Sequence, residues 1–131
     1  MGNALEFSVY KTKNWKNFTI NLEGCRIPLK LDNVKVVSDF SERYMSIVEF
    51  LEINAKDVKT QDSISIHANI SLHGIRTNDK PVRYLKLEKD GYQHRSEMKD
   101  SCIDTFLDWC RWLIYDAIPS GMVEGVLMPT L

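Results

Sequence analysis

The most constraining feature of this sequence is a strict alternation of apolar and polar side chains between residues 63 and 73. Every second residue from Ile64 to Leu72 is apolar, which is typical of a β-strand with one buried face. The opposite face is polar but carries no fixed charge; its members are Ser63, Ser65, His67, Asn69, Ser71 and His73. A neutral polar face of this length favours cover by another part of the chain or by a partner.

Length and composition indicate one ordinary soluble domain over residues 1–131. Hydrophobic residues make up 44% of the chain and charged residues 27%, which is typical of a globular protein and argues against disorder. The formal net charge is −1, so no overall field attracts nucleic acid or an anionic membrane. No secretion signal is recognisable, and no apolar run reaches the roughly 20 residues that span a bilayer. We therefore expect a cytoplasmic protein without a membrane contact.

Further alternating segments predict an antiparallel sheet of about five strands. Besides the central strand, they lie at residues 5–9, 18–22, 27–31 and 82–87. Residues 34–37 can extend the third of these strands. Pro28 has no N–H to donate to a β-ladder, so we expect it at a sheet edge or a bulge.

The last element is predicted to be an amphipathic α-helix that begins at Ser101 and ends before Pro119. Its apolar stripe consists of Cys102, Ile103, Phe106, Cys110, Leu113, Ile114 and Ala117. The tail at residues 122–128 is apolar enough to add a short strand or to dock on a second copy.

Residues 40–53 fit two interpretations. Phe40, Tyr44, Ile47, Val48 and Leu51 recur at helical spacing, whereas Met45, Ile47, Leu51 and Ile53 also fit a strand that would form a long hairpin. We favour the helix. The predicted fold is therefore α+β, with an antiparallel sheet, a C-terminal amphipathic helix and a second helix over residues 40–52 packed on the sheet.

The last helix also carries the candidate partner-binding residues. Trp109 flanks the apolar stripe, while Trp112 and Tyr115 turn toward the acidic face of the helix. Aromatic side chains beside an arginine are typical of protein interfaces. The alternative is that strands or the tail cover these rings. With the neutral face of the central strand included, the predicted partner-binding residues are Trp109, Trp112, Tyr115, Asp108, Arg111, His67, Asn69 and His73.

A nucleic-acid-binding protein is the first alternative. Lys11, Lys13, Trp15 and Lys16 place basic groups beside an aromatic ring within residues 11–18, which can grip a phosphate backbone and stack a base. Basic side chains at residues 83–89 would extend this patch if the two strands were neighbours. No RNP-like or helix-turn-helix pattern accompanies the patch.

No local motif indicates catalysis or a metal site, so we expect no catalytic residue, cofactor or metal. His67 and His73 share a strand face but lie roughly 20 Å apart, too far to bind one ion. The odd number of cysteines, three, favours a reducing compartment over disulfides. A small enzyme whose site is assembled from distant residues is the second alternative.

These observations favour a non-enzymatic protein-binding module. Small cytosolic inhibitors, immunity-type proteins and adaptors act by stoichiometric occlusion of a partner. They require a complementary surface but no catalytic residues. The expected partner is another protein, and a homodimer is the further expectation.

Overall fold

The computed structural model of the chain describes residues 4–10, 14–42, 45–70 and 83–126. Within these residues the chain forms a series of antiparallel strands followed by one helix and a short final strand. The strands are β1 (Glu6–Tyr10), β2 (Asn14–Leu22), β3 (Cys25–Ser41), β4 (Ser46–Asp57), β5 (Ser63–Ala68), β6 (Tyr84–Lys89), β7 (Tyr92–Glu97) and β8 (Glu124–Gly125). The helix is α1 (Asp100–Trp112), which continues into one π-helical turn (Leu113–Ala117).

The sheet is a meander in which strands β1 to β7 lie side by side in chain order. Its two ends meet: the N–H of Leu5 donates to the carbonyl of Glu97 at 2.7 Å, and the carbonyl of Leu5 accepts from the N–H of Lys99 at 2.9 Å. The sheet is therefore strongly curled. The short strand β8 pairs in parallel with β3 at residues 33–34.

The core lies between the apolar face of this curled sheet and α1. Alternating residues of each strand point into it, because successive side chains of a strand face opposite sides of the sheet. The largest fully buried side chains are Trp109, Phe18, Phe106, Leu5, Ile20, Leu29, Leu51, Ile53, Ile66, Ile70 and Leu85. The sequence prediction of an antiparallel sheet with a C-terminal amphipathic helix is thus confirmed.

Two finer predictions of the fold were wrong. The described residues contain more strands than the five expected, since β4, β7 and β8 add to the five predicted segments. The second helix over residues 40–52 does not form. Residues on both sides of 43–44 instead belong to β3 and β4, which pair from Leu29–Asp57 to Ser41–Ser46. The strand interpretation of this segment was the right one, since β4 forms an antiparallel hairpin with β5 in addition to its pairing with β3.

Pro28 lies neither at a sheet edge nor in a bulge. It pairs with Thr19 of β2 and sits inside β3, and the bulge of this strand lies between Leu31 and Asn33. The carbonyl of Pro28 accepts from the N–H of Val58 at 2.9 Å. The ring nitrogen of Pro28 points toward β4, as its carbonyl does. The ladder between β3 and β4 ends at Leu29, so the missing N–H of Pro28 removes no ladder hydrogen bond.

Helix α1 begins one residue earlier than predicted. Its N-cap is Lys99, whose side chain caps no backbone group, and Ser101 lies within the first turn. The C-terminal end near Pro119 agrees with the prediction, because the π-helical turn ends at Ala117. In the described part of the chain, no helix combines the length and apolar character needed to cross a membrane.

Candidate protein-binding site

One surface stripe of the C-terminal helix contains four of the predicted partner-binding residues. Asp108, Arg111, Trp112 and Tyr115 are spaced i, i+3, i+4 and i+7, which places them on one helix face. Arg111 donates from Nη1 to Asp108 Oδ1 at 2.8 Å. Together with Trp15 of β2, these four residues form the surface that we name the helix patch.

Two tryptophans form the rigid part of the helix patch. The rings of Trp15 and Trp112 stack with their centroids 5.4 Å apart and their planes inclined by 27°. Both side chains are half-buried and pack against the core with one part of the ring. Offset stacking of this kind stabilises an aromatic pair beyond the burial of its area. The pair is therefore held in place by stacking and by packing against the core.

Trp109, although predicted as a partner-binding residue, does not belong to this surface, because strands cover its ring as in the alternative interpretation. Its side chain is 0% exposed. The ring lies 4.5 Å from that of Phe18 and 5.2 Å from that of Phe7, measured between centroids. Trp109 Nε1 donates to the main-chain carbonyl of Trp15 at 2.7 Å. Trp109 thus fastens α1 to β2 and fixes the backbone beneath the Trp15–Trp112 stack.

The π-helical turn that follows α1 sets the position of Tyr115. The N–H of Ile118 donates to the carbonyl of Leu113 at 3.0 Å, five residues back instead of four. The wider turn buries Leu113, Ile114 and Ala117 together, while Tyr115 stays 41% exposed. Tyr115 consequently extends the helix patch beyond the regular helix.

The neutral face of the central strand, the second predicted surface, is only partly described. His67 lies on the outer face of the sheet, and its Nε2 is 3.5 Å from Glu52 Oε1. On the other side it pairs with Lys86 of β6. Asn69 is exposed just after β5, whereas His73 lies outside the described residues. Charged residues of β4 and β6 therefore flank this strand and supply the charge that its own face lacks.

A chain of amide and hydroxyl groups crosses this outer face. Asn54 Nδ2 donates to Asn33 Oδ1 at 2.7 Å, and Ser65 Oγ donates to Asn54 Oδ1 at 2.7 Å. These three residues lie on β3, β4 and β5, so the chain ties three neighbouring strands together. We assign it a structural role, because its donors and acceptors satisfy one another.

The predicted nucleic-acid patch is only partly described by the structure. Lys11 and Lys13 lie outside the described residues, and Trp15 is stacked on Trp112. Lys16 is half-buried on β2. The condition for extension of the patch through residues 83–89 is not met, because β2 pairs with β1 and β3, whereas β6 pairs with β5 and β7.

The fold shifts the pKa values of two described residues, Cys110 and Tyr10, in opposite directions. Burial raises the pKa of the Cys110 thiol, since the charged thiolate is poorly solvated in the core. Hydrogen bonds from Thr19 and Arg26 lower the pKa of Tyr10. Among the described residues, no cluster of three or more His, Cys, Asp or Glu side chains could hold a metal ion.

Comparison with known proteins adds no relative. No protein-family model matches this chain, and no curated protein or solved structure matches it.

Proposed function

We propose that this protein is a non-catalytic binding module that occludes a site on another protein through its helix patch. An inhibitor, an immunity-type protein or an adaptor would work in this way. The observation that carries the proposal is the half-exposed Trp15–Trp112 stack, which stands beside the Arg111–Asp108 ion pair. Tryptophan, tyrosine and arginine are the residue types that contribute most binding energy at protein interfaces.

The rigidity of the patch supports this proposal. Binding loses free energy when side chains must be ordered, at about 0.5–1.5 kcal/mol for each mobile side chain. The stacked indoles are already ordered, and the hydrogen bond from Trp109 to the carbonyl of Trp15 restrains the strand beneath them. A preordered aromatic anchor therefore retains more of its contact energy on binding.

The charged groups of the helix patch, Asp108 and Arg111, would form a polar rim around the aromatic pair in an interface with a partner. The side chain of Asp108 is 49% exposed and that of Arg111 is 25% exposed. Both groups can exchange solvent contacts for contacts with a partner without breaking a buried ion pair, so the energetic penalty stays small. We expect the aromatic pair to supply affinity and the ion pair to select the partner.

The test is capture from the cell that naturally contains the protein. The wild-type chain should recover one protein in stoichiometric amount, and the double variant Trp112→Ala/Tyr115→Ala should lose it. Tyr92→Ala is the matched control, because Tyr92 is an 81% exposed tyrosine at the β6–β7 turn, outside the patch. Equal recovery by all three chains would refute the proposal. Recovery of nucleic acid in a strongly salt-dependent manner would favour the alternative function instead.

A further inference from the structure

Among the described residues, the long hairpin of β3 and β4 extends beyond the strands that pair with it. Pairing of β2 with β3 ends at Lys30, and pairing of β4 with β5 ends at Leu51. Strand β8 pairs with β3 only at residues 33–34. Each strand has two edges, and β4 pairs with one edge of β3. Among the described residues, no strand pairs with the other edge of β3 after Val34. Phe40 is 60% exposed and Met45 is 75% exposed toward the end of the hairpin.

The backbone of this edge is oriented for pairing with another strand. The carbonyl of Val34 accepts from the N–H of Val126, so the polar groups of Val34 point away from β4. Because this direction alternates along a strand, the N–H and C=O groups of Val36, Ser38 and Phe40 point to the same side. An apolar edge with such groups is a template for strand addition.

The residues along this edge are complementary to themselves. In an antiparallel pair centred on Ser38 and Ser38 of a second copy, Val36 lies opposite Phe40 of that copy, and Phe40 lies opposite its Val36. Aromatic and β-branched residues opposite each other stabilise an antiparallel pair.

We infer that the β3 edge from Val36 to Phe40 is a dimerisation surface, and that its partner is the same edge of a second copy. The two hairpins would then form one four-stranded sheet across a two-fold axis. A two-stranded hairpin alone is at best marginally stable in water. Pairing with the two strands of a second hairpin would stabilise it. In an isologous interface, a residue that contacts a second residue of the other copy is matched by the reverse contact across the axis. The two Val36–Phe40 pairs meet this requirement. The contact uses none of the residues of the helix patch.

Sedimentation equilibrium over a range of concentrations tests this inference. The wild-type chain should dimerise, and Ser38→Pro should raise the dimer Kd by at least about tenfold. The N–H of Ser38 points away from β4, so proline removes an edge donor without removing a hydrogen bond of the hairpin. Circular dichroism of the variant should match that of the wild type.

Replacement of Phe40 provides a second arm that does not depend on how proline is tolerated. Phe40→Lys should weaken the homodimer, because a charged side chain would then lie opposite Val36 of the second copy. Tyr92→Lys, at an exposed position outside this edge, should leave association unchanged. Three outcomes would overturn the inference. They are a wild-type chain that stays monomeric up to about 1 mM, a dimer that no edge variant affects, and dimerisation only after removal of residues 127–131. The last outcome would assign the edge to the chain's own C-terminal segment.

Discussion

The indole N–H of Trp109 donates a hydrogen bond to the main-chain carbonyl of Trp15, with 2.7 Å between the two atoms. This single contact joins the C-terminal helix to the second strand across most of the sequence. It also explains why Trp15 and Trp112 can stack at the surface, because the strand and the helix that carry them are held at a fixed separation. Core stability and the candidate binding surface are therefore coupled through one buried side chain.

Trp109→Phe should destabilise the protein by about 2–4 kcal/mol. The smaller ring leaves a void between Phe7 and Phe18, and the carbonyl of Trp15 loses its donor. Urea unfolding measures the effect. Trp112→Phe is the control, since Trp112 is half-buried and no hydrogen bond from its indole is part of this connection. A loss in the control as large as in Trp109→Phe would contradict the anchoring role.

Stability should fall with rising pH because of Cys110. Its raised pKa keeps the native thiol protonated, whereas the thiol of the unfolded chain ionises above about pH 8.5. The unfolded state then binds fewer protons than the native state, so the contribution is fully present below that pH and is lost as the pH rises. The slope from this one group is at most about 1.4 kcal/mol per pH unit.

The measurement is urea unfolding of the wild type and of Cys110→Val between about pH 8 and pH 10. The wild type should show the steeper decline, because valine cannot ionise. Cys25→Val is the control and should leave the slope unchanged, since Cys25 is exposed near the β2–β3 turn. Parallel slopes for all three chains would show that Cys110 does not carry the effect.

Asn54→Ala should lower the free energy of unfolding by about 1–2 kcal/mol. The variant removes the amide that joins Asn33 to Ser65, and it leaves two partly buried polar groups without this partner. Ser65→Ala removes one bond of the chain and should cost about half as much. If chemical denaturation gave a larger loss for Ser65→Ala, the proposed connection of β3, β4 and β5 through Asn54 would be wrong.

Gly125→Ala should detach β8 from β3. An added Cβ would lie 2.8 Å from the backbone carbonyl of Val34 and 2.7 Å from Ile118 Cδ1, which is closer than such atoms approach. Hydrogen exchange of the Val126 amide, which donates to Val34, reports the change. Its protection should fall sharply, while Met122→Ala, at a 53% exposed position, should leave the amide protected. Unchanged protection in Gly125→Ala would mean that the strands tolerate the methyl group.

The parts of the fold with an unambiguous period could be predicted from the sequence. Strands β1, β2, β5 and β6 alternate with a period of two, and α1 repeats with a helical period. The β3–β4 hairpin could not be resolved in this way, because its apolar residues fit both periods between 40 and 53. Strand β7 was missed because the segment Tyr92–Glu97 is almost entirely polar and only Ser96 is buried.

The candidate site was predictable only in part, for a related reason. Helical spacing alone groups Asp108, Arg111, Trp112 and Tyr115 on one face of the C-terminal helix. The burial of Trp109 depends on Phe7 and Phe18, which arrive from strands about a hundred residues earlier in the chain. No local pattern reports such contacts. The recruitment of Trp15 to the same surface has the same long-range origin, and its aromatic ring was the only signal in the sequence.

The most direct test of the central claim is photo-crosslinking from the helix patch in the cell that naturally contains the protein. A photoreactive phenylalanine analogue would replace Tyr115 in one chain and Tyr92 in another. We predict one crosslinked protein from position 115, lost on adding Trp112→Ala, and none of that mass from position 92. The same crosslinks from both positions, or none from position 115, would contradict the assignment of the helix patch as the binding surface.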